Sequence, residues 1–307
     1  MPVFLTMMAG MLFRRMGLMD ENFAAKMNSF VFRVALPFNL FVQLYPVNFS
    51  EAWDTAFVGF CFIATALSIA IAYGIGRLLI SPELRGEFVQ ASYRSSASLL
   101  GMAFIQNMYR NAAMGSLMML GSVPLYNIAA VVILTLMKPT QTGEKNRLSA
   151  EVLRKSLIGI LKNPLIIAIF AGCLWSLLRI PMPQVLGKTC SNIAQTATPM
   201  GLMAMGAALE PDKIRGRIAP AALASGLKLF AFCAIFTPLA VLMGFRREKL
   251  IAILVMLGSA TTFAGYVMAK NMGHEGVLSQ AAVMLTTLFA AFSLTLFIWL
   301  FRCLGYV

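Results

Sequence analysis

The sequence is poor in charge, and none of its acidic residues lies in the middle of a long apolar run. Charged residues make up 12% of the chain and hydrophobic residues 59%, and the mean hydropathy is +0.79. This composition excludes an ordinary water-soluble domain. All twelve acidic residues are predicted in loops or at helix ends. Because carboxylates inside the membrane are the usual proton relays, their absence disfavours a carboxylate-based proton or sodium antiporter and an aspartyl intramembrane protease.

Patterns for metal binding and catalysis are also missing. His274 is the single histidine, the five cysteines have no metal-ligand spacing, and no glycine loop with a lysine matches a phosphate site. We therefore predict no metal, no cofactor and no enzymatic activity. The net charge of +13 is attributed to basic loops that face anionic lipid. A nucleic-acid partner is not expected, because no soluble basic domain is present.

Ten apolar runs predict an all-α polytopic membrane protein with ten transmembrane helices. A helix needs about 20 residues to cross the hydrocarbon core, and a miscounted helix is the alternative. The first run is short, so the natural N-terminus is predicted to lie upstream. The runs cover residues 2–13, 24–45, 54–80, 88–107, 114–137, 156–178, 186–208, 218–243, 249–270 and 277–301.

The chain contains one motif twice. Pro2, Gly10 and Pro37 recur 162 residues later, and Ser95 and Gly101 recur 164 residues later. The predicted domains are therefore a first five-helix repeat at 1–138, a cytoplasmic linker at 139–155 and a second repeat at 156–307. Five crossings in each repeat require inverted topology, and transporters often hold substrate where such repeats meet.

Basic residues in the loops predict the orientation. They are concentrated on one side of the predicted membrane, for example at Arg14, Arg15 and Lys213. The positive-inside rule then places both termini outside the cytoplasm and the linker inside. The predicted location is the cytoplasmic (inner) membrane.

Three basic residues, Arg33, Arg94 and Lys228, fall within apolar runs. Snorkelling of the side chain to the membrane surface is one interpretation. Because no buried acid is predicted as a partner, attraction of an anionic substrate is the other.

Small hydroxyl residues crowd before Gly101 in the fourth helix and before Gly265 in the ninth. Broken helices need such groups, since interrupted backbone groups in a membrane must be satisfied, and half-helix N-termini can receive an anion. Close packing of helices through small residues is the alternative. The residues are Ser92, Ser95, Ser96 and Ser98 in the fourth helix, and Ser259, Thr261 and Thr262 in the ninth.

Central prolines and amides mark the second, fifth and seventh helices. Pro37 and Pro199 are predicted to open the backbone hydrogen-bond ladder. Asn39, with Gln43 one turn later, and Asn127 are candidate substrate contacts. The alternative for each amide is a hydrogen bond between helices.

The sequence resembles the auxin efflux carrier family, within the bile, arsenite and riboflavin transporter superfamily. The resemblance spans essentially the whole chain. It is carried by residues 30–40 (FVFRVALPFNL), Arg94 and Ser95 leading to Gly101, Tyr126 and Asn127, residues 162–165 (KNPL), 199–209 (PMGLMAMGAAL), Lys228 with Leu229, and 264–269 (AGYVMA).

The resemblance implies an inverted five-plus-five repeat in which broken helices four and nine cross at the substrate site, as in bile-acid transporters. It also implies a homodimer, and relatives that include bacterial malate and malonate permeases and plant auxin exporters. It places Arg94, Ser95 and Gly101 at the first crossover, Asn127 facing substrate, and Ser259 and Thr261 at the second crossover. Family members commonly have prolines at the two crossovers and an asparagine after the arginine-serine pair. This chain has Ser96, Ala103 and Ala260 in those neighbourhoods.

We therefore predict a secondary transporter that moves a small organic anion, a carboxylate such as malate, malonate or an auxin-like acid, by alternating access. A carrier of neutral or amino-acid substrates and a non-transporting receptor are the alternatives. The predicted helix breaks are Pro37, Gly101, Pro199 and Gly265. The predicted substrate contacts are Asn39, Arg94, Ser95, Ser96, Ser98, Asn127, Lys228, Ser259, Thr261 and Thr262.

Overall fold

The computed structural model describes residues 2–46, 54–97, 105, 108–109, 113–139 and 157–307. Every regular element in these residues is a helix, so the all-α prediction is confirmed for this part of the chain. Ser98, Gly101 and nearly all of the linker at 139–155 lie outside the described residues.

Six α-helices and one π-helical segment come from the first half of the chain. They are α1 Pro2–Arg15, α2 Glu21–Phe30, the π segment Val31–Ala35, α3 Leu36–Leu44, α4 Thr55–Leu79, α5 Pro82–Tyr93 and α6 Ala113–Leu136.

Nine α-helices and a second π segment have both ends among the described residues of the second half. They are α7 Pro164–Leu178, α8 Gln184–Gln195, α9 Ala197–Ala207, α10 Pro211–Arg215, α11 Ile218–Gly226, the π segment Leu227–Ala231, α12 Phe232–Leu242, α13 Arg247–Gly258, α14 Ala264–Asn271 and α15 Val277–Cys303.

Four of the described helical stretches are long and apolar enough to cross a membrane. They are Thr55–Leu79, Leu117–Leu136, Ile218–Leu242 and Val277–Cys303, and Pro164–Leu178 is a shorter apolar helix. The protein is therefore a multi-pass helical membrane protein. Two other predicted crossings, 186–208 and 249–270, each consist of two shorter helices separated by a break, and the predicted crossing 24–45 contains a π-helical segment.

Both prolines predicted to open the backbone ladder lie beside irregular backbone. Before Pro37, the N–H of Leu36 donates to the carbonyl of Val31, five residues back, which is the π-helical pattern. Pro199 follows a break at Thr196, between α8 and α9. Proline has no backbone N–H to donate, which explains why the regular helical hydrogen bonds are interrupted near both prolines.

Helices that begin the two halves pack against the proline-containing helices of the opposite halves. A Cβ atom on Gly10 of α1 would overlap the backbone of Met203 in α9, and one on Gly206 of α9 would overlap the backbone of Met7. Gly172 of α7 packs in the same way against Phe41 and Leu44 of α3. Small residues let the helix backbones approach closely.

Glu87 contradicts the prediction that every acidic residue lies in a loop or at a helix end. It lies inside α5 and is fully buried. Its carboxylate accepts hydrogen bonds from the backbone N–H groups of Gly276 and Ser279, at 2.8 and 2.9 Å, and from the Ser279 hydroxyl at 3.0 Å. The carboxylate thus caps the N-terminus of α15, where the helix dipole and three donors compensate its burial.

An ion pair at the start of α4 makes stability depend on acidic pH. Asp54 caps α4 by accepting from the Phe57 N–H, and Lys249 Nζ lies 2.6 Å from its carboxylate. The hydrogen bond from Lys249 lowers the pKa of Asp54 below its usual value of 3.8. The pair therefore stabilises the folded state above that pH, and the contribution is lost as the pH falls through the lowered pKa.

We expect the thermal midpoint of the protein to fall as the pH is lowered from 5 to 3, and to fall less in Asp54→Asn. The difference corresponds to about 1 kcal/mol or less, because the pair is partly exposed. Thermal unfolding of both proteins across this pH range measures it. Equal pH dependence in the two would contradict the assignment to Asp54.

Candidate functional site

Two helices end inside the protein at the two predicted hydroxyl-rich segments, ahead of the predicted break residues Gly101 and Gly265. Gly265 itself lies inside α14, so the prediction of a break at this residue is wrong. α5 ends at Tyr93 and α13 ends at Gly258, and the next residues, Arg94 and Ser259, have extended backbone. The two extended segments meet, since the Ser96 N–H donates to the carbonyl of Ala260 at 2.9 Å. Ser95 and Ser259, which recur in the two halves, therefore both lie at this crossing.

Hydroxyl groups of each broken segment satisfy carbonyl groups of the other. The Thr261 hydroxyl donates to the carbonyl of Ala91 at 2.9 Å, and the Ser95 hydroxyl donates to the carbonyl of Met256. Tyr126 of α6 adds a second hydrogen bond to Met256, at 3.1 Å. These hydroxyls supply the partners that interrupted helices need inside a membrane.

A first cavity lies beside the crossing and collects most of the predicted polar contacts. Its volume is about 50 Å³, enough for about one or two water molecules. Residues from α3, the two broken segments, α6 and the start of α7 line it: Leu36, Asn39, Leu40, Gln43, Arg94, Ser95, Ser96, Val123, Tyr126, Asn127, Leu165, Thr262, Phe263 and Ala264.

Arg94 brings a nearly uncompensated positive charge to this cavity. Its side chain is 5% exposed. Nη2 donates to Asn127 Oδ1 at 2.7 Å, and Nη1 lies 3.2 Å from Met268 Sδ. Nε has no hydrogen-bond partner among the residues that the structure describes. No ion pair joins Arg94 to a carboxylate in the described part of the chain. A thioether is a weak acceptor, so the guanidinium retains capacity to bind an anion.

Two side-chain amides from α3 face the same cavity. Gln43 Nε2 donates to Asn39 Oδ1, and Gln43 Oε1 is buried without a partner. On α6, Asn127 Nδ2 donates to the carbonyl of Val123 at 2.9 Å, which leaves Asn127 Oδ1 for Arg94. The amides therefore offer both donors and acceptors around one cation.

The three basic residues of the apolar runs differ in their burial. Arg33 is exposed, as snorkelling predicts, whereas Arg94 and Lys228 are buried within the protein. Lys228 Nζ contacts the carbonyls of Tyr93 and Leu257 and the Ser95 hydroxyl. Lys228 lines neither of the two cavities beside the crossing.

A second cavity of about 70 Å³ lies on another side of the crossing. Ser96, Thr262 and Phe263 line both cavities. Other lining residues occupy equivalent positions in the two halves, 162 residues apart. Val3, Thr198 and Leu202 of the second cavity correspond to Leu165, Leu36 and Leu40 of the first. The remaining residues of the second cavity are Ala260, Thr261, Val283 and Thr287.

The predicted substrate contacts are therefore distributed over the two cavities and the buried region beside them. Asn39, Arg94, Ser95, Ser96, Asn127 and Thr262 line the first cavity, and Thr261 lines the second. Ser259 is buried, and its hydroxyl has no partner among the described residues. Gly265 lies where a Cβ atom would make ordinary contacts with Gln90 and Arg94. Substrate contact stays a prediction for all ten residues, and Ser98 lies outside the described residues.

Gln43 was named only beside Asn39, and no site role was predicted for Gln90 or Met268. Gln90 lies one turn before Arg94 on α5, is 1% exposed, and places Nε2 3.7 Å from Met268 Sδ. The spacing of four residues to Arg94 was an available signal for Gln90. Nothing in the sequence indicated Met268, because its contact with Arg94 depends on how α14 packs against α5.

A family described as membrane transport protein matches residues 1–298, almost the whole chain. No curated protein sequence matches the chain.

Proposed function

Because the chain belongs to the membrane transport protein family, the auxin efflux carrier family that its sequence resembles, we propose that it is a secondary transporter of a small carboxylate. The proposed route crosses the cytoplasmic membrane, and the proposed mechanism is alternating access. Members of this family are transporters rather than enzymes.

The observation that carries the proposal is the buried guanidinium of Arg94 at the first cavity. A carboxylate there would exchange a weak thioether contact and an unpartnered N–H for charge-assisted hydrogen bonds. The amides of Asn39, Gln43 and Asn127 and the hydroxyl of Thr262 would replace part of the substrate's hydration shell. Leu36, Leu40 and Phe263 provide apolar surface for the rest of the molecule.

Alternating access accounts for the small volume of the first cavity. Pockets that hold small ligands usually have about 300–1,000 Å³, far more than the cavity of about 50 Å³ beside Arg94. Substrate entry therefore requires the helices around the cavity to separate. We propose that α1–α3 and α7–α9 form a scaffold, and that the crossing moves with α4–α6 and α11–α15.

We propose that the chain forms an inverted repeat of ten crossings, and contacts related by the repeat spacing support this division. The contacts of α1 with α9 and of α7 with α3 are related by the repeat spacing, as are several lining residues of the two cavities. In inverted-repeat transporters such related surfaces open to opposite sides in turn. We further propose that both termini lie outside the cytoplasm and that two copies associate through the scaffold helices.

The experiment uses purified full-length protein and pairs of ligands that differ in charge. Monocarboxylates and dicarboxylates are screened by thermal shift, each beside its uncharged amide. We expect at least one carboxylate to raise the thermal midpoint while its amide does not. That carboxylate should also enter proteoliposomes, with a net direction that reverses when the imposed membrane potential is reversed.

Other results would contradict the proposal in distinct ways. Equal transport of a carboxylate and its amide would identify a neutral-substrate carrier. Stabilisation by a carboxylate without counterflow would identify a receptor. The absence of any response to carboxylates would contradict the assignment of the Arg94 cavity as an anion site.

A further inference from the structure

Lys228 is a fully buried lysine that the transport site described above does not use. It lies in the π segment Leu227–Ala231, and its side chain has no exposed surface. Its ammonium donates to Ser95 Oγ at 2.5 Å, to the carbonyl of Leu257 at 2.9 Å and to the carbonyl of Tyr93 at 3.4 Å. An ammonium has three donors, and each finds an oxygen.

The two carbonyl groups belong to the ends of the two broken helices. Tyr93 is the last residue of α5, and Leu257 is the penultimate residue of α13. A helix C-terminus carries about half a negative charge, so two converging C-termini carry about one. The single ammonium of Lys228 balances that charge. No carboxylate forms an ion pair with Lys228 among the described residues.

Close packing holds the lysine at this point. Gly258 follows Leu257, and a Cβ atom on it would lie 2.7 Å from Cys233 Sγ, in α12. The π segment and α12 therefore lie directly against the end of α13. Short π-helical segments inside α-helices frequently occur at functional sites.

We propose that Lys228 is a positioning residue that ties the ends of the two broken helices together and thereby orients Arg94. Ser95 links the two roles, because it accepts from Lys228, donates to Met256 and follows Arg94 in the chain. On this inference the charge of Lys228 is consumed by the helix ends and does not attract substrate. The link to Arg94 rests on the proposed transport function, whereas the tie between the helix ends does not.

The first test replaces Lys228 by methionine, with Lys188→Met as the matched control on an exposed lysine. Lys228→Met should lower the thermal midpoint and speed hydrogen exchange in the last turns of α5 and α13. It should also lower maximal flux at least about tenfold, because buried carbonyls lose their partner. The preference for a carboxylate over its amide should persist, since Arg94 remains. Lys188→Met should change none of these.

A second test asks whether the charge itself is required. Lys228→Ala removes the outer carbon chain and the ammonium, and n-propylammonium has the same atoms. Millimolar n-propylammonium should raise the thermal midpoint of Lys228→Ala and partly restore its flux, whereas 1-propanol should not. A purely space-filling role would respond to both compounds.

A third test uses the shared hydrogen bond with Ser95. In a Ser95→Ala background, Lys228→Met should lower the thermal midpoint less than in the wild type, because contacting residues are coupled. This double-mutant cycle still tests the proposed role of Lys228 if Lys228→Ala fails to fold.

Three results would overturn the proposal: a wild-type thermal midpoint and exchange pattern in Lys228→Met, loss of the preference for carboxylate over amide, or equal rescue by n-propylammonium and 1-propanol. If the wild type transports no anion, the proposed function fails instead. The thermal midpoint and hydrogen exchange then still test the tie between the helix ends.

Discussion

Arg94→Gln is expected to lower the apparent affinity for the transported carboxylate by about a hundredfold or more. Leaving a buried charge without its partner costs about 3–5 kcal/mol, and each 1.4 kcal/mol is about a tenfold change. In the first cavity the buried guanidinium is the one cationic group among the lining residues, so no neighbour replaces it. Flux into proteoliposomes and the ligand-induced thermal shift both measure the change.

The empty protein should respond to the same substitution in the opposite sense. Arg94 is buried against an amide and a thioether, neither of which neutralises it. Removing a buried charge with such partners should leave the thermal midpoint of the empty protein unchanged or raise it. A substitution that merely disturbed the crossing would lower it. Stability and binding therefore separate a substrate role from a structural one.

Arg33→Gln is the matched control, because it removes the same charge from an exposed position in the membrane region. It should leave affinity and thermal midpoint near the wild-type values. If Arg94→Gln retained wild-type affinity, or if both variants lost affinity equally, the guanidinium of Arg94 would not be the anion site.

The hydroxyl-rich segments of the sequence indicated where the crossing lies, but not the residues at which the helices break. Helix interruption in a membrane requires small hydroxyl residues, and their recurrence at Ser95 and Ser259 marked both breaks. In the structure α5 ends at Tyr93 and α13 ends at Gly258, just before these serines, whereas the predicted break residue Gly265 lies inside α14. The apolar runs also predicted approximately where the described helices lie, because an apolar run depends only on local composition.

Partners of the polar residues could not be predicted, because they come from distant parts of the chain. Ser95 and Thr261 were both assigned to substrate, yet each satisfies a carbonyl of the opposite broken helix. Lys228 was expected to attract an anion, but the convergence of two helix ends surrounds it with carbonyl groups. Glu87 was predicted at a helix end. Its burial could not be predicted, because the backbone group of Gly276 that binds its carboxylate lies 189 residues further along the chain.

Double substitution of Gly10 and Gly206 by alanine is expected to destabilise the protein by about 2–6 kcal/mol. The two glycines interlock α1 with α9: Gly10 lies on the backbone of Met203, and Gly206 lies on the backbone of Met7. Neither backbone can move aside as a flexible side chain would, so the helices must separate. Overpacking costs about 1–3 kcal/mol at a single site, and two adjacent sites consume much of the usual 5–15 kcal/mol of stability.

Gly74→Ala is the control for this prediction, because Gly74 also lies within a helix but a Cβ atom there meets nothing within 4 Å. Alanine favours a helix over glycine by about 1 kcal/mol, so this variant should be as stable as the wild type or more stable. Yield of monodisperse protein and the thermal midpoint measure both variants. A wild-type midpoint for the Gly10 and Gly206 double variant would show that α1 and α9 are further apart, and would remove one of the two related contacts on which the proposed scaffold depends.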